Sequence, residues 1–133
     1  LDGLKSGRAR RINKQHQVFC RIHVEDIAGA CLHLIHKAAS GHAPPIVNVA
    51  DDEPTPSAEL LEFAAELLGC NLPAEESYAN ASQTMSAMAQ SFWSENRRVS
   101  NRLLCKELGY TLLHPNYRSG LQDCLKQEHH QNV

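Results

Sequence analysis

Apolar residues recur at spacings of three and four through Ile27, Ala30, Cys31, Leu34, Ile35 and Ala38, the period of a helix with one buried face. Glu25 and Asp26 precede them, and acidic side chains suit a helix start, where free N–H groups and the macrodipole favour negative charge. Gly41 is placed to end that helix in a left-handed turn. On either side lie two runs that read as strands: Val18 to His23, and the β-branched Ile46 to Ala50, bounded by Pro45 before and by Asp51-Asp52-Glu53-Pro54 after. A second helix is expected with Thr55 as N-cap and Pro56 at the first helical position, where its missing N–H costs nothing. Leu60, Leu61, Ala64, Leu67 and Leu68 form its apolar face and Gly69 its stop. A strand, a helix and a further strand make the crossover unit of an α/β sheet.

The flanks are weaker. Leu1 to Ser6 reads as the end of a helix stopped at Gly7, followed by a basic loop from Arg8 to Lys14. Asn71 to Ala79 reads as a loop, and Ala81 to Gln90 as a diluted helix in which Met85, Met88 and Ala89 share a face. Ser100 can cap a helix over 101–108, with Leu103, Leu104 and Leu108 inward and Gly109 as stop. Pro115 opens a last helix whose packing face is Tyr117, Leu121, Cys124 and Leu125. A polar tail over 128–133 holds His129 and His130.

The length of 133 residues suits one domain at most, and a core poor in aromatics (5%) rests on Leu, Ala, Val and Ile. A formal charge of −2 argues against a nucleic-acid binder that relies on overall basicity. The charge is unevenly spread. Lys5, Arg8, Arg10, Arg11 and Lys14 stand against Asp2 alone in residues 1–14, whereas residues 51–76 hold eight carboxylates and no Lys or Arg. The two regions either pair in the fold or solvate separate faces. Five cysteines without a C-x-x-C pair fit a reducing, cytoplasmic setting better than a disulfide scaffold. No apolar run approaches the ~20 residues of a membrane-spanning helix.

On a regular strand Arg21 and His23 face the same side, which calls for solvent, a partner or a ligand there. A structural use of His23, bonded to nearby backbone, is the competing reading. Cys20, His23, His33 and His36 imitate the spacing of a four-ligand zinc site, but Cys20 and His23 would face opposite sides of the strand. Trp93, the lone tryptophan, is either a core anchor or a pocket wall. Arg97 and Arg98 beside Glu95 read as a surface charge group.

Arg21-Ile22-His23-Val24-Glu25-Asp26-Ile27-Ala28, then Val47-Asn48-Val49-Ala50-Asp51-Asp52-Glu53-Pro54, resembles the C-terminal half of extended short-chain dehydrogenases/reductases of the NAD-dependent epimerase/dehydratase group. Residues 91–101, Lys106 to Tyr110 and Pro115 to Leu121 resemble the late strand and helices of that family, in the same order. The resemblance implies an α/β chain that is the C-terminal part of an NAD(P)-binding Rossmann-like fold: one or two sheet strands plus a small, mostly helical substrate-binding region, incomplete on its own. Residues 1–133 would be the substrate-binding portion, with the N-terminal dinucleotide-binding portion absent.

No G-x-G-x-x-G or G-x-x-G-x-x-G turn is present, and no Tyr-x-x-x-Lys: Tyr78, Tyr110 and Tyr117 are followed four residues later by Ser82, His114 and Leu121. The resemblance therefore implies an NAD- or NADP-dependent parent whose cofactor and catalytic pair lie outside this chain. Catalytic, cofactor-binding and metal-binding residues are expected to be absent here. The expected pocket groups are Arg21, His23, Trp93 and Arg98, facing a small-molecule or sugar-like substrate, with the basic loop and Arg98 as anion contacts. The nucleotide-sugar members carry a phosphate-contacting Arg four residues before the position of His23, where this chain has Phe19; that departure argues against a nucleotide sugar. The rival readings are a non-enzymatic binding or sensor module and a small zinc-binding domain.

An extended segment 46–50 without sheet neighbours would leave backbone edges and two faces to cover. In isolation the chain is expected to fold poorly, or to rely on a second copy or a complementing N-terminal half. Sedimentation with a denaturant melt checks this: a cooperative melt from a well-dispersed monomer counts against it.

Overall fold

The computed structural model describes residues 1–131 and forms two compact units. One is Leu1–Phe19 with Thr55–Arg98, the other Cys20–Pro54 with the chain from Val99 onward. In chain order the elements are α1 (Asp2–Lys5), β1 (Arg11–Asn13), α2 (Val24–Ala39), α3 (Ser57–Leu68), β2 (Glu75–Ser77), α4 (Tyr78–Ala81), a 3-10 turn (Ser82–Thr84), α5 (Ala87–Ser94), a single π-helical turn (Leu103–Glu107) and α6 (Tyr117–Gln131). The fold class is α/β, as expected, but the strands are not the predicted ones.

In the first unit β1 and β2 pair in parallel, Arg11 opposite Glu75 and Asn13 opposite Ser77, and α3 packs against β1. Both strands fall where the sequence reads as loop. Their side chains explain why they pair. Arg10 donates to both Glu76 carboxylate oxygens, the shorter at 2.7 Å, and to Thr84 Oγ1 at 3.0 Å. Arg11 pairs with Glu62 of α3 and lies 3.6 Å from Glu75, while Asn13 Nδ2 donates to Glu75 at 3.1 Å. The basic and acidic stretches thus meet within this unit. Its buried residues are Ile12, Val18, Ala64, Ala65 and Ala81, with Thr55 and Gln17 among them.

The expected strand Val18 to His23 is absent because its backbone groups are taken by other partners. Val18 N–H donates to Asn96 Oδ1 at 3.1 Å, Phe19 makes an isolated antiparallel bridge with Thr55, and Arg21 C=O accepts from Asp51 N–H at 2.7 Å. That bridge also moves the start of α3. Thr55 N–H and C=O are both engaged by Phe19, so Pro56 is the cap residue and the helix begins at Ser57. Gly69 ends it at φ 62°, as expected. Segment 46–50 joins no ladder among the described residues, and Ile46 is 79% exposed.

In the second unit α2 begins at Val24, with His23 as N-cap, and ends before a left-handed Gly41. Its orientation corrects the expected packing. Asp26 and Ala30 are fully buried, whereas Ile27, Cys31 and Ile35 of the apolar stripe are exposed, Ile35 by 63%. The cause is the Asp26 carboxylate. It accepts from Leu113 N–H at 2.7 Å, His114 N–H at 2.9 Å and Tyr110 Oη–H at 3.0 Å. A buried carboxylate is tolerated only with such partners, and satisfying it turns the opposite side of α2 outward. Gly29 makes the approach possible, because a Cβ there would run into the Tyr110 hydroxyl and lie 3.2 Å from its Cζ.

The expected helix over 101–108 is one π turn burying Leu104, followed by buried Leu108 and by Gly109 at φ 80°. Asn116, not Pro115, caps the last helix: its Oδ1 accepts from Arg118 and Ser119 N–H at 3.1 and 3.2 Å. That helix carries His129 and His130 of the expected tail, and residues 132–133 lie outside the described ones.

Burial and the Asp26 hydrogen bond push the Tyr110 hydroxyl up from 10.0 to about 12. Folding therefore favours the neutral phenol. That stabilisation is complete below pH 10 and is lost as pH rises toward 12. An absorbance titration should show one tyrosine ionising near pH 12, missing in Tyr110→Phe. Asp26→Ala should strand three donors and cost about 3 kcal/mol or more in a denaturant melt.

Candidate functional site

The extended backbone on either side of α2 builds a cleft in the second unit. Residues 20–22 and 49–51 run side by side, joined by the Asp51 N–H to Arg21 C=O bond. Asn101 ties the second of them down, its Nδ2 donating to Ala50 C=O at 3.0 Å and to Asp52 Oδ1 at 2.7 Å. Val99 N–H donates to Cys20 Sγ at 3.2 Å. Between them lies a cavity of about 270 Å³ lined by Cys20, Arg21, Ile22, Val49, Ala50 and Val99. A mostly apolar wall with one cation is the composition of a site that orients a small ligand through one anionic group.

Burial lowers the Arg21 pKa from its ordinary value, and the negative charge of Asp51 is the largest opposing influence. The Asp51 carboxyl, in a residue only 6% exposed, is pushed up by burial; the N–H of Glu53, donating to Oδ1 at 3.1 Å, and the Arg21 charge act against that. Glu53 in turn accepts from Arg118 Nη1 at 2.9 Å through both oxygens. A second cavity in this unit, about 290 Å³, is more polar, with Asp52, Asn101, Lys106, Tyr110 and Thr111 in its lining. Cys105 also lines it, its thiol pKa raised chiefly by burial.

Arg21 and His23 do not share a face. With no regular strand there is no alternation to align them. Arg21 opens onto the cleft, while His23 caps α2, its Nδ1 accepting from Glu25 N–H at 3.3 Å. His23 Nε2 lies 3.5 Å from Cys124 Sγ and 3.8 Å from Asp123 Oδ2. The Cys124 thiol pKa is raised, mainly by burial and then by Asp123. Trp93 and Arg98 belong to the first unit. Trp93 is half-buried in a ring cluster, edge-on to Phe19 at 5.1 Å and stacked on Tyr78 at 5.6 Å, and its carbonyl accepts from Lys14 Nζ. Arg98 is exposed, and its neighbour Arg97 pairs with Glu95 at 2.7 Å.

The zinc reading with Cys20, His23, His33 and His36 does not assemble: Cys20 meets Val99, and His33 Nε2 lies 2.7 Å from Leu108 C=O. Sequence reasoning missed Asp51 as the partner of Arg21. It also missed that His23 meets His114 and Asp123 rather than the helix histidines. The one available signal was that His23, Asp26 and Asp51 sit at the ends of predicted elements, where polar side chains serve as caps.

A dinucleotide needs N–H groups at a helix start for its pyrophosphate. Among the described residues, several helix starts are partly committed. One first-turn N–H of each of α2, α4 and α5 donates to the His23, Ser77 or Ser86 side chain, whereas α3 has no side-chain cap. The left-handed glycines Gly7, Gly41, Gly69 and Gly109 follow helical segments instead of preceding them.

No protein-family model matches the chain. It is 30% identical over 100 residues to a 3-diazoavenalumate denitrifying reductase of Streptomyces sp, a match spanning 75% of this chain and 32% of the reductase. Among solved structures it is similar to a functionally unknown conserved protein from Silicibacter pomeroyi DSS, with TM-score 0.78 and 42% identity over 90% of this chain and 42% of that one. It is also similar to human epimerase family protein SDR39U1 (isoform 2), solved with NADPH, with TM-score 0.75 and 20% identity over 93% of this chain and 41% of that one. The chain thus spans about a third of the curated relative and about two fifths of the solved ones. The class defined by these findings is an α/β chain with the fold of part of an NADPH-binding epimerase-family protein, related in sequence to a reductase.

Because folding raises the Asp51 pKa above 3.8, Asp51 contributes most to stability when protonated, and that contribution is lost as pH climbs through the folded value. Denaturant midpoints of wild type and Asp51→Asn, compared from about pH 3 upward, should show the wild type losing ground and then levelling. A gain with rising pH would contradict the assignment.

Proposed function

We propose that this chain is the substrate-side portion of an NAD(P)-dependent reductase, epimerase or dehydratase of the extended short-chain dehydrogenase/reductase type. The carrying observation is the likeness of 93% of the chain to part of a protein solved with NADPH. The sequence similarity to a named reductase supports the same reading. The cofactor and the proton-transfer pair belong, on this proposal, to a complementing N-terminal portion. The exposed stripe of Ile27, Cys31 and Ile35 and the unpaired extended run at Ile46 are the surfaces that portion would cover.

Within the chain, Arg21 is the chief group for an anionic substrate function, since among the described residues it is the cation lining the apolar cleft. In the first unit, exposed Arg98 is a separate anion contact on this proposal, and Trp93 a separate apolar one. The substrate class this favours is a small carbonyl compound bearing a carboxylate or similar anion.

The test joins this chain to the part of the Silicibacter pomeroyi protein that lies outside the match. The chimera is expected to bind NADPH, followed by nicotinamide fluorescence, while this chain alone does not. With carboxylate-bearing carbonyl compounds as probes, Arg21→Ala should raise KM about 10–100-fold, the value of a hydrogen bond to a charged group. A folded chimera without NADPH affinity would overturn the proposal.

A further inference from the structure

Two histidines and two carboxylates converge in the second unit, apart from the Arg21 cleft. His23 ends the extended run before α2, Glu25 lies in the first turn of α2, His114 precedes α6 and Asp123 lies on α6. One ligating atom from each lies within 4.8 Å of every other. The two rings are 4.1 Å apart, tilted by 50°, and their side chains are only 7% and 12% exposed. Gly120 lets α6 come this close, since a Cβ there would stand 3.2 Å from His23 Cδ2.

The spacing of the charged atoms is informative. His23 Nε2 to Asp123 is 3.8 Å, His114 Nε2 to Glu25 is 3.6 Å and His114 Nε2 to Asp123 is 4.0 Å. A direct N–H···O bond spans about 2.7–3.2 Å, so the rings and carboxylates do not satisfy one another; Gln127 Nε2 bridges the carboxylates, 3.1 Å from Glu25 Oε1 and 2.6 Å from Asp123 Oδ2. Ligands about 2.0–2.1 Å from a tetrahedral zinc stand roughly 3.3 Å apart, and small rotations of the partly exposed carboxylates close that difference.

We infer that His23, Glu25, His114 and Asp123 form a site for a divalent transition-metal ion, zinc by the softness of its donors. Imidazole nitrogens suit Zn²⁺ and its neighbours, whereas Mg²⁺ and Ca²⁺ take oxygen. His114 can take up the role: Nδ1 lies 2.8 Å from Ser119 Oγ, a partner that accepts the Nδ1 proton in the metal-binding tautomer, in which Nε2 coordinates. Its backbone N–H is held by Asp26. At His23 Nδ1 accepts from Glu25 N–H, so a neutral ring carries its proton on Nε2. Metal entry moves that proton to Nδ1 and exchanges the cap bond for coordination. The ion then joins the start of α2, the 114 loop and α6. Cys124, though beside His23, is outside the four-atom set.

The test uses the full, untagged chain after chelator dialysis, titrated with Co²⁺ as the probe and then Zn²⁺. One equivalent of Co²⁺ should bind with tetrahedral d–d bands and no thiolate-to-cobalt charge transfer, and Zn²⁺ should displace it and raise the melting temperature. His114→Gln and Asp123→Asn should each weaken binding by about tenfold or more, while the double variant His129→Gln, His130→Gln binds as wild type. Should His114→Gln lose its far-ultraviolet circular dichroism, Glu25→Gln, on an exposed side chain, serves in its place. Absence of stoichiometric binding, a thiolate charge-transfer band, or binding indifferent to these substitutions would overturn the site. None of these readouts involves NADPH or turnover, so the result is independent of the enzymatic proposal.

Discussion

The Asp26 carboxylate is the constraint on which the second unit depends. Buried and accepting three hydrogen bonds, it ties the first turn of α2 to Tyr110 and to the backbone at 113 and 114. Two peptide N–H groups that lie outside regular structure would otherwise face the interior unpaired, a state proteins avoid. The rotation of α2 about its axis follows from this. So does the placement of His114, because the bond that fixes its backbone also aims its ring toward His23.

The same constraint explains where hydropathy misleads. A periodic apolar stripe marks the side of a helix that gains most from burial, but a buried polar contact elsewhere on the helix can override it. Here the helix turns its polar Asp26 and small Gly29 inward, the latter to admit the Tyr110 ring, and leaves Ile27 and Ile35 outside. Helix existence was legible in the sequence throughout α2 and α3, and the left-handed stops at Gly7, Gly41, Gly69 and Gly109 were too. Strands were not. A strand is defined by its partner, and the claims of Asn96, Thr55 and Asp51 on residues 18–21 are long-range side-chain and backbone choices that no local pattern announces. The three-residue β1 and β2 were too short to show a pattern, Arg11-Ile12-Asn13 holding one apolar residue and Glu75-Glu76-Ser77 none.

The candidate site was legible in part. Arg21 stood out because a cation within a β-branched, extended run needs a reason, and the structure places it on a cleft beside Asp51. The expected pairing of Arg21 with His23 failed because it assumed the alternation of a regular strand. His23 instead takes part in two polar arrangements at once, a helix cap and a histidine–carboxylate cluster. Neither is visible without knowing that α6 returns to the start of α2, which Gly120 permits.

The Arg–Glu seam across β1, β2 and α3 changes what the amino-terminal stretch offers its surroundings. Read linearly, residues 8–14 are a polycation; folded, Arg10 and Arg11 are covered by Glu76, Glu62 and Glu75. Their field is therefore dipolar and short-ranged, fading within a few ångströms where an uncompensated patch would reach out to a Debye length. Arg8 and Lys14, held by the neutral Ser6 hydroxyl and Trp93 carbonyl, are what remains of the positive charge in that stretch.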